Sequence, residues 1–268
     1  MGRAWAAYRG GSAASPAANT MNSAPTPQSS PHTEPPPGPS GILVIDKPYG
    51  PTSMDVCRVV KRRLISAGAH KKVKVGHGGT LDPLATGILV VMVGRATKMC
   101  DAVMADTKVY LADVDFSAFS TTDDAEGERT EVVPEVVPTI AQVRSACEKF
   151  VGEISQVPPI YSAIKVAGQE AYKLARKGQA HDLVMQARTV RIDSIVVHNY
   201  NWPLAVLEVT SGKGVYIRSL ARDLGKALST GGTLANLRRT RIGRFDLAMA
   251  KTLDSLPPGI TQTDLLVI

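Results

Sequence analysis

The stretch VGHGGTLDPLATGILVV, residues 75–91, decides how this chain is read. Its glycines, proline and threonines break the first part into a tight irregular loop, and the last part opens an apolar run that continues to Val93. Such a run of aliphatic, mostly β-branched residues predicts a buried strand over 88–93. Asp82 stands in the middle of the loop, and Pro83 behind it restricts its backbone to extended conformations. A lone carboxylate on a rigid, glycine-lined loop is well placed to act as nucleophile or base at a cleft. The same Asp-Pro pair also opens ordinary turns, and glycine-rich loops also merely connect strands, so both readings stand at this point. Phosphate-cradling loops fit poorly. No Lys-Ser/Thr pair stands in this loop, and Leu81 occupies the third-glycine position of a G-x-G-x-x-G pattern.

Upstream, Ile42-Leu43-Val44-Ile45 reads as a buried strand stopped by Asp46-Lys47-Pro48 and a turn at Tyr49-Gly50-Pro51. Thr52 or Ser53 can cap the following helix, in which Val56, Val60 and Leu64 recur at helical spacing. Arg58, Lys61, Arg62 and Arg63 take the other positions, and a basic strip follows at 70–74. Downstream, strands are expected at 108–116, 188–198 and 204–210. A helix is expected from Thr139, with Ile140, Val143, Cys147 and Phe150 inward and Gly152 as its stop; others are expected near 169–177 and 216–228. Strands and helices mix without strict alternation, which favours an α+β architecture over a doubly wound sheet.

Residues 1–40 hold eight of the eighteen prolines, with Ala, Ser, Thr and Gly filling most of the rest. That composition buries too little apolar surface to offset ordering entropy, so a disordered tail is expected, with Met21 an alternative start. Proline density also spoils the amphipathic helix of a transit peptide. Little of the net charge of +7 lies in this tail, and the excess of Lys and Arg beyond it favours a polyanionic partner without naming one. Cys57, Cys100 and Cys147 form no C-x-x-C pair, and the five histidines show no ligand spacing, so no metal site is expected. An odd, scattered set of cysteines suits a reducing, cytoplasmic setting. No apolar run approaches the roughly 20 residues that cross a bilayer.

The strings GILVIDKPYGPTS (41–53) and GHGGTLDPLATGILVVMVGRATK (76–98) resemble the bacterial tRNA pseudouridine-55 synthases of the TruB family. Further similar segments follow in the same order: KVYLADVDF (108–116), DAEG (124–127), VPPIYSAIKVAGQEAYKLARKG (157–178), SGKGVYIRSLARDLGKAL (211–228) and NLRRTRIGRF (236–245). The resemblance implies the pseudouridine synthase fold, a central mixed, largely antiparallel sheet flanked by helices, over a catalytic domain at 41–250. It implies an isomerase that flips a T-loop uridine out of tRNA, detaches uracil from ribose and rejoins it through C5, with no cofactor.

In that family the aspartate of the G-T-L-D-P segment is catalytic, which assigns the role to Asp82. Arg218 matches the arginine that pairs with it, and Tyr110 the tyrosine that stacks on the target base. His77 matches a histidine near the flipped nucleotide, Lys47 falls in the K-P pair of the active-site wall, and Leu237 lies near an apolar residue against the base. Gly78 departs from the usual threonine or serine, and Ser117 from a glycine. Residues 251–268 form a short extension, too few for the small C-terminal RNA-binding domain that the family often carries.

The implied partner is the tRNA T-stem-loop, bound by a monomer without an obligate protein partner. Two rivals remain: a guide-RNA-dependent dyskerin-type synthase, and a non-catalytic RNA-binding or RNA-folding protein on the same scaffold. The basic residues 58–63 and 71–74 are expected to face RNA phosphates, against the alternative of a solvated helix face. Replacing one such phosphate-contacting lysine, Lys72→Ala for example, is expected to shallow the logarithmic salt dependence of tRNA binding by roughly 0.7–0.9; an unchanged slope assigns that residue to solvent.

Overall fold

The computed structural model describes residues 38–162, 164–166, 168–175, 178 and 183–267. Apart from residues 38–40, the proline-rich tail lies outside the described residues, as do positions 176 and 177 of the helix expected near 169–177. The strands are β1 (Gly41–Lys47), β2 (Val75–His77), β3 (Thr86–Val93), β4 (Lys108–Asp115), β5 (Ala118–Ser120), β6 (Arg129–Glu131) and β7 (Gly152–Gln156). They continue with β8 (Lys165–Val166), β9 (Gln169–Glu170), β10 (Arg188–Asn201), β11 (Leu204–Ser211), β12 (Thr233–Ile242), β13 (Phe245–Asp246) and β14 (Lys251–Thr252). The helices are α1 (Ser53–Ser66), α2 (Cys100–Ala105), α3 (Ile140–Glu148), α4 (Ala171–Leu174) and α5 (Ile217–Ala227).

One mixed sheet runs in the order β14-β1-β3-β12-β4-β11-β10-β7, and only its β1–β14 and β3–β12 pairs are parallel. β3 is buried on both faces. Leu89 and Val91 pack with Leu43 and Ile45 against Val56, Val60 and Leu64 of α1, while Ile88, Val90 and Met92 meet Val103 of α2 and Phe245 on the other face. This two-sided burial explains the unbroken apolar run of the sequence. Each aliphatic side chain that α1 buries contributes about 1.5–3 kcal/mol. Thr52 caps α1 in a capping box with Asp55, and Thr139 caps α3 in the same way with Gln142. A third cluster joins Tyr110, Ala112 and Val114 of β4 and Leu207 and Val209 of β11 to Val143 of α3 and Leu220 and Leu224 of α5.

The structure corrects the helix expected from Thr139. Ile140 is exposed at its first turn, the helix ends at Glu148, and Gly152 opens β7 with φ +101° rather than stopping a helix. It also supplies a strand that periodicity did not suggest. The arginine-rich β12 lies between β3 and β4, at the centre of the sheet. Residues 251–267 continue the same packing: β14 pairs with β1, and Leu256, Ile260 and Leu265 join the core under α1. No helix among the described residues is long and apolar enough to cross a membrane.

β3 changes partner along one edge. β1 follows it throughout, but on its other side β12 pairs with Thr86 and Gly87 and β2 with Val91 to Val93. The loop 78–85 leaves β2 and re-enters β3 at this opening. Gly87 sits where β12 crosses most closely, with φ +96°, and a Cβ there would lie 2.2 Å from the Arg239 carbonyl oxygen. Gly87→Ala is therefore expected to cost about 2–4 kcal/mol, through backbone strain and overpacking, and to lower Tm by roughly 5–10 °C. A thermal melt indistinguishable from wild type would contradict this account of the crossing.

Candidate functional site

The loop that carries Asp82 is fixed on both sides of it. The Ser53 hydroxyl, at the first turn of α1, accepts from the Leu81 amide at 2.8 Å and donates to the Leu81 carbonyl at 3.0 Å. The Pro83 carbonyl accepts from the Gly50 amide at 2.9 Å and from Lys47 Nζ at 3.1 Å. Lys47 is fully buried, and its ammonium also donates to the Pro48 and Pro51 carbonyls, each at 2.8 Å. Burial pushes its pKa down to about 8, and the Asp82 carboxylate opposes that fall. Lys47 thus acts through the wall that holds Asp82.

Arg218, buried at the start of α5, reaches Asp82 at 2.9 Å with one guanidinium nitrogen and Asp124 at 3.2 Å with the other. The same nitrogens donate to the Tyr161 and Thr122 carbonyls, which fixes the plane of the fork. Asp124 is held in turn by the Thr122 hydroxyl and the Glu126 amide. The Asp82 side chain is ringed by protein yet 33% exposed, so one side of the carboxylate faces open space. Its pKa is raised. Burial is the main cause and Asp124 adds to it, while Arg218 and Lys47 pull the other way.

Tyr110 and Leu237 lie with Leu81 in one apolar cluster beneath the loop, and Tyr110 is 9% exposed. His77 stands on β2 at the far lip of the opening. Its Nδ1 is buried without a partner in the described structure, and burial together with the Arg239 charge lowers its pKa, so the ring is neutral at pH 7. The structure therefore brings Asp82, Arg218 and Lys47 together through direct bonds or shared loop contacts, and Tyr110 and Leu237 through packing.

Sequence reasoning missed three members of this constellation. Asp124 lay within DAEG, a matched segment to which no role was assigned. Ser53 read only as a helix cap. Arg239 stood in the matched string NLRRTRIGRF with no role assigned, yet it is 2% exposed and donates to the carbonyls of Ile88 at 2.8 Å, Gly79 at 3.0 Å and Thr80 at 3.4 Å. Strand alternation pairs it with buried Leu237, and that was the available signal. Of the basic residues expected to face RNA, Arg63 instead donates to the Leu256 carbonyl, and Arg58 pairs with Asp55, while Arg62, Lys71, Lys72 and Lys74 are exposed.

Both departures from the family pattern have local explanations. A Cβ at Gly78 would lie 2.2 Å from Val103 Cγ1, so α2 fills that space. The Ser117 hydroxyl donates to Asp115 at 2.7 Å and accepts from Arg129 at 3.1 Å.

Two family models match the chain: the TruB family pseudouridylate synthase N-terminal domain over residues 62–217, and the tRNA pseudouridylate synthase B C-terminal domain over residues 218–263. A tRNA pseudouridine synthase B of Gluconacetobacter diazotrophicus is 49% identical over 220 residues, covering 82% of this chain and 69% of the relative. Its counterpart in Mycobacteroides abscessus is 44% identical, over 84% of this chain and 74% of the relative. Among solved structures, a Cbf5-Nop10-Gar1 complex superposes with a TM-score of 0.60 at 31% identity over 81% of this chain. The chain spans 53% of that longer protein.

Lys47→Met leaves three carbonyls without their ammonium donor. At about 1–3 kcal/mol for each buried group left unmet, the variant is expected to lose at least about 2 kcal/mol of stability. Chemical denaturation checks this, and a loss below about 0.5 kcal/mol would remove Lys47 from the wall.

Proposed function

The chain belongs to the TruB family of pseudouridylate synthases, and from that premise we propose that it converts a T-loop uridine of tRNA to pseudouridine, with Asp82 as the essential carboxylate. The reaction breaks the bond between ribose C1′ and uracil N1, turns the base and joins C1′ to C5; the C5 hydrogen leaves as a proton and N1 takes one up. No oxidant, reductant or second substrate enters this balance. The observation that carries the reading is the Asp82–Arg218 pair at 2.9 Å on a loop bonded at both neighbouring residues, with one side of the carboxylate open.

A flipped uridine would enter from that open side and stack on Tyr110, a contact worth about 1–3 kcal/mol. Leu237 would close the apolar wall, and neutral His77 would fill space beside the nucleotide. The T-stem-loop would be recognised by its shape and splayed bases, with the exposed lysines and Arg62 on phosphates. The protein would act as a cytoplasmic monomer without a guide RNA or protein partner. A guide-dependent synthase would be inactive on naked tRNA, and a non-catalytic binder would leave uridine unchanged at every enzyme concentration.

Asp82→Asn tests the assignment. Release of tritium from tRNA labelled at uridine C5 is expected to fall at least about 1,000-fold, with tRNA affinity retained. Because the folded pKa of Asp82 is raised, its contribution to stability is present in acid and lost as pH rises through the folded value. The neutral variant is therefore expected to melt no lower than wild type at pH 7. For the same reason, wild-type activity should decline on acidification at a pH above the ordinary carboxylate range. An active Asp82→Asn enzyme would refute the role, and an inactive wild type the proposed function.

A further inference from the structure

Arg239 is almost wholly buried, so it offers no phosphate contact to RNA. Its carbonyl acceptors bracket the opening in the sheet: Gly79 and Thr80 belong to the loop, and Ile88 to the first part of β3. Tyr110 is its direct cross-strand neighbour in the β12–β4 pair. β12 carries a register irregularity between Arg239 and Arg241, so Arg239 turns inward while Arg241 is exposed. Burying a cation whose hydrogen bonds go to neutral oxygens is costly. The carbonyls need donors but no charge. The positive charge has other consequences: it attracts the Asp82 carboxylate and acts against protonation of Lys47 and His77.

We propose that Arg239 is a positioning residue, tying the Asp82 loop to β12 directly opposite Tyr110 so that carboxylate and stacking ring are held in one geometry before RNA binds. The inference rests on the reading of Asp82 as the essential carboxylate. One guanidinium holds the loop and β3 together because its five donors lie in a rigid plane, and a lysine ammonium at the end of a flexible stem cannot hold the same set at once. Errors of an ångström in such a pair reduce rates by about 100-fold without altering the surface that grips the substrate.

The experiment uses Arg239→Lys, Arg239→Met and Tyr110→Phe, measuring single-turnover tritium release, tRNA affinity, melting temperature and the pH dependence of the rate. Arg239→Lys is expected to slow the single turnover by about 100-fold while tRNA affinity stays within about threefold. Arg239→Met should shift the acid limb of the rate profile to higher pH, since the carboxylate loses a nearby positive charge, and Arg239→Lys should leave that limb near wild type. Tyr110→Phe keeps the ring but removes the hydroxyl of the residue paired with Arg239. It should slow wild type more than it slows the Arg239→Lys background.

Wild-type turnover in Arg239→Lys would overturn the proposal. So would equal losses of rate, affinity and stability with an unmoved pH limb, which is the signature of a sheet plug alone. Failure of both Arg239 variants to fold would likewise overturn it, by assigning Arg239 to the stability of the sheet. An inactive wild type would refute the proposed function instead, so the two failures are distinguishable.

Discussion

The whole site depends on a change of partner along one strand. β3 is flanked by β12 at one end and β2 at the other, and between them backbone polar groups face a gap. Buried carbonyls must find donors. Here the donors are side chains: the Arg239 guanidinium for Ile88, Gly79 and Thr80, and the Lys47 ammonium for Pro83. A loop held through its own carbonyls has little freedom to move, and Asp82 inherits that rigidity.

Three cations, Lys47, Arg218 and Arg239, surround one open carboxylate and its buried neighbour Asp124. The arrangement resolves a conflict between two requirements. A dry setting strengthens every polar contact with a flipped base, yet the same dryness disfavours the ionised form of Asp82. The cations offset much of that penalty, and the balance still leaves the pKa above its ordinary value. A residual cost of this kind is common where an active group is held away from its most stable state.

Much of this was legible in the chain itself. Two-sided burial of β3 followed from its unbroken apolar run, and the capped start of α1 from Thr52 and the spacing of Val56, Val60 and Leu64. The glycines and Asp-Pro of the loop marked Asp82 as constrained, and the matched segments paired it with Arg218. Strand β12 escaped notice because the charges in NLRRTRIGR hide a buried alternation, and a short, locally unremarkable string such as DAEG gives no hint that its aspartate meets an arginine 94 residues away.

Local chemistry, then, was set by the sequence: which segments extend, which coil, where a helix starts, and which carboxylate is stiffened by its proline. The tertiary structure decided the electrostatics, because the opening in the sheet exists only once β12 and β2 share β3. That opening makes Arg239 the buried link between β12 and the loop. Burial and the placement of charges relative to one another are properties of the assembled sheet, and the order of residues along the chain does not carry them.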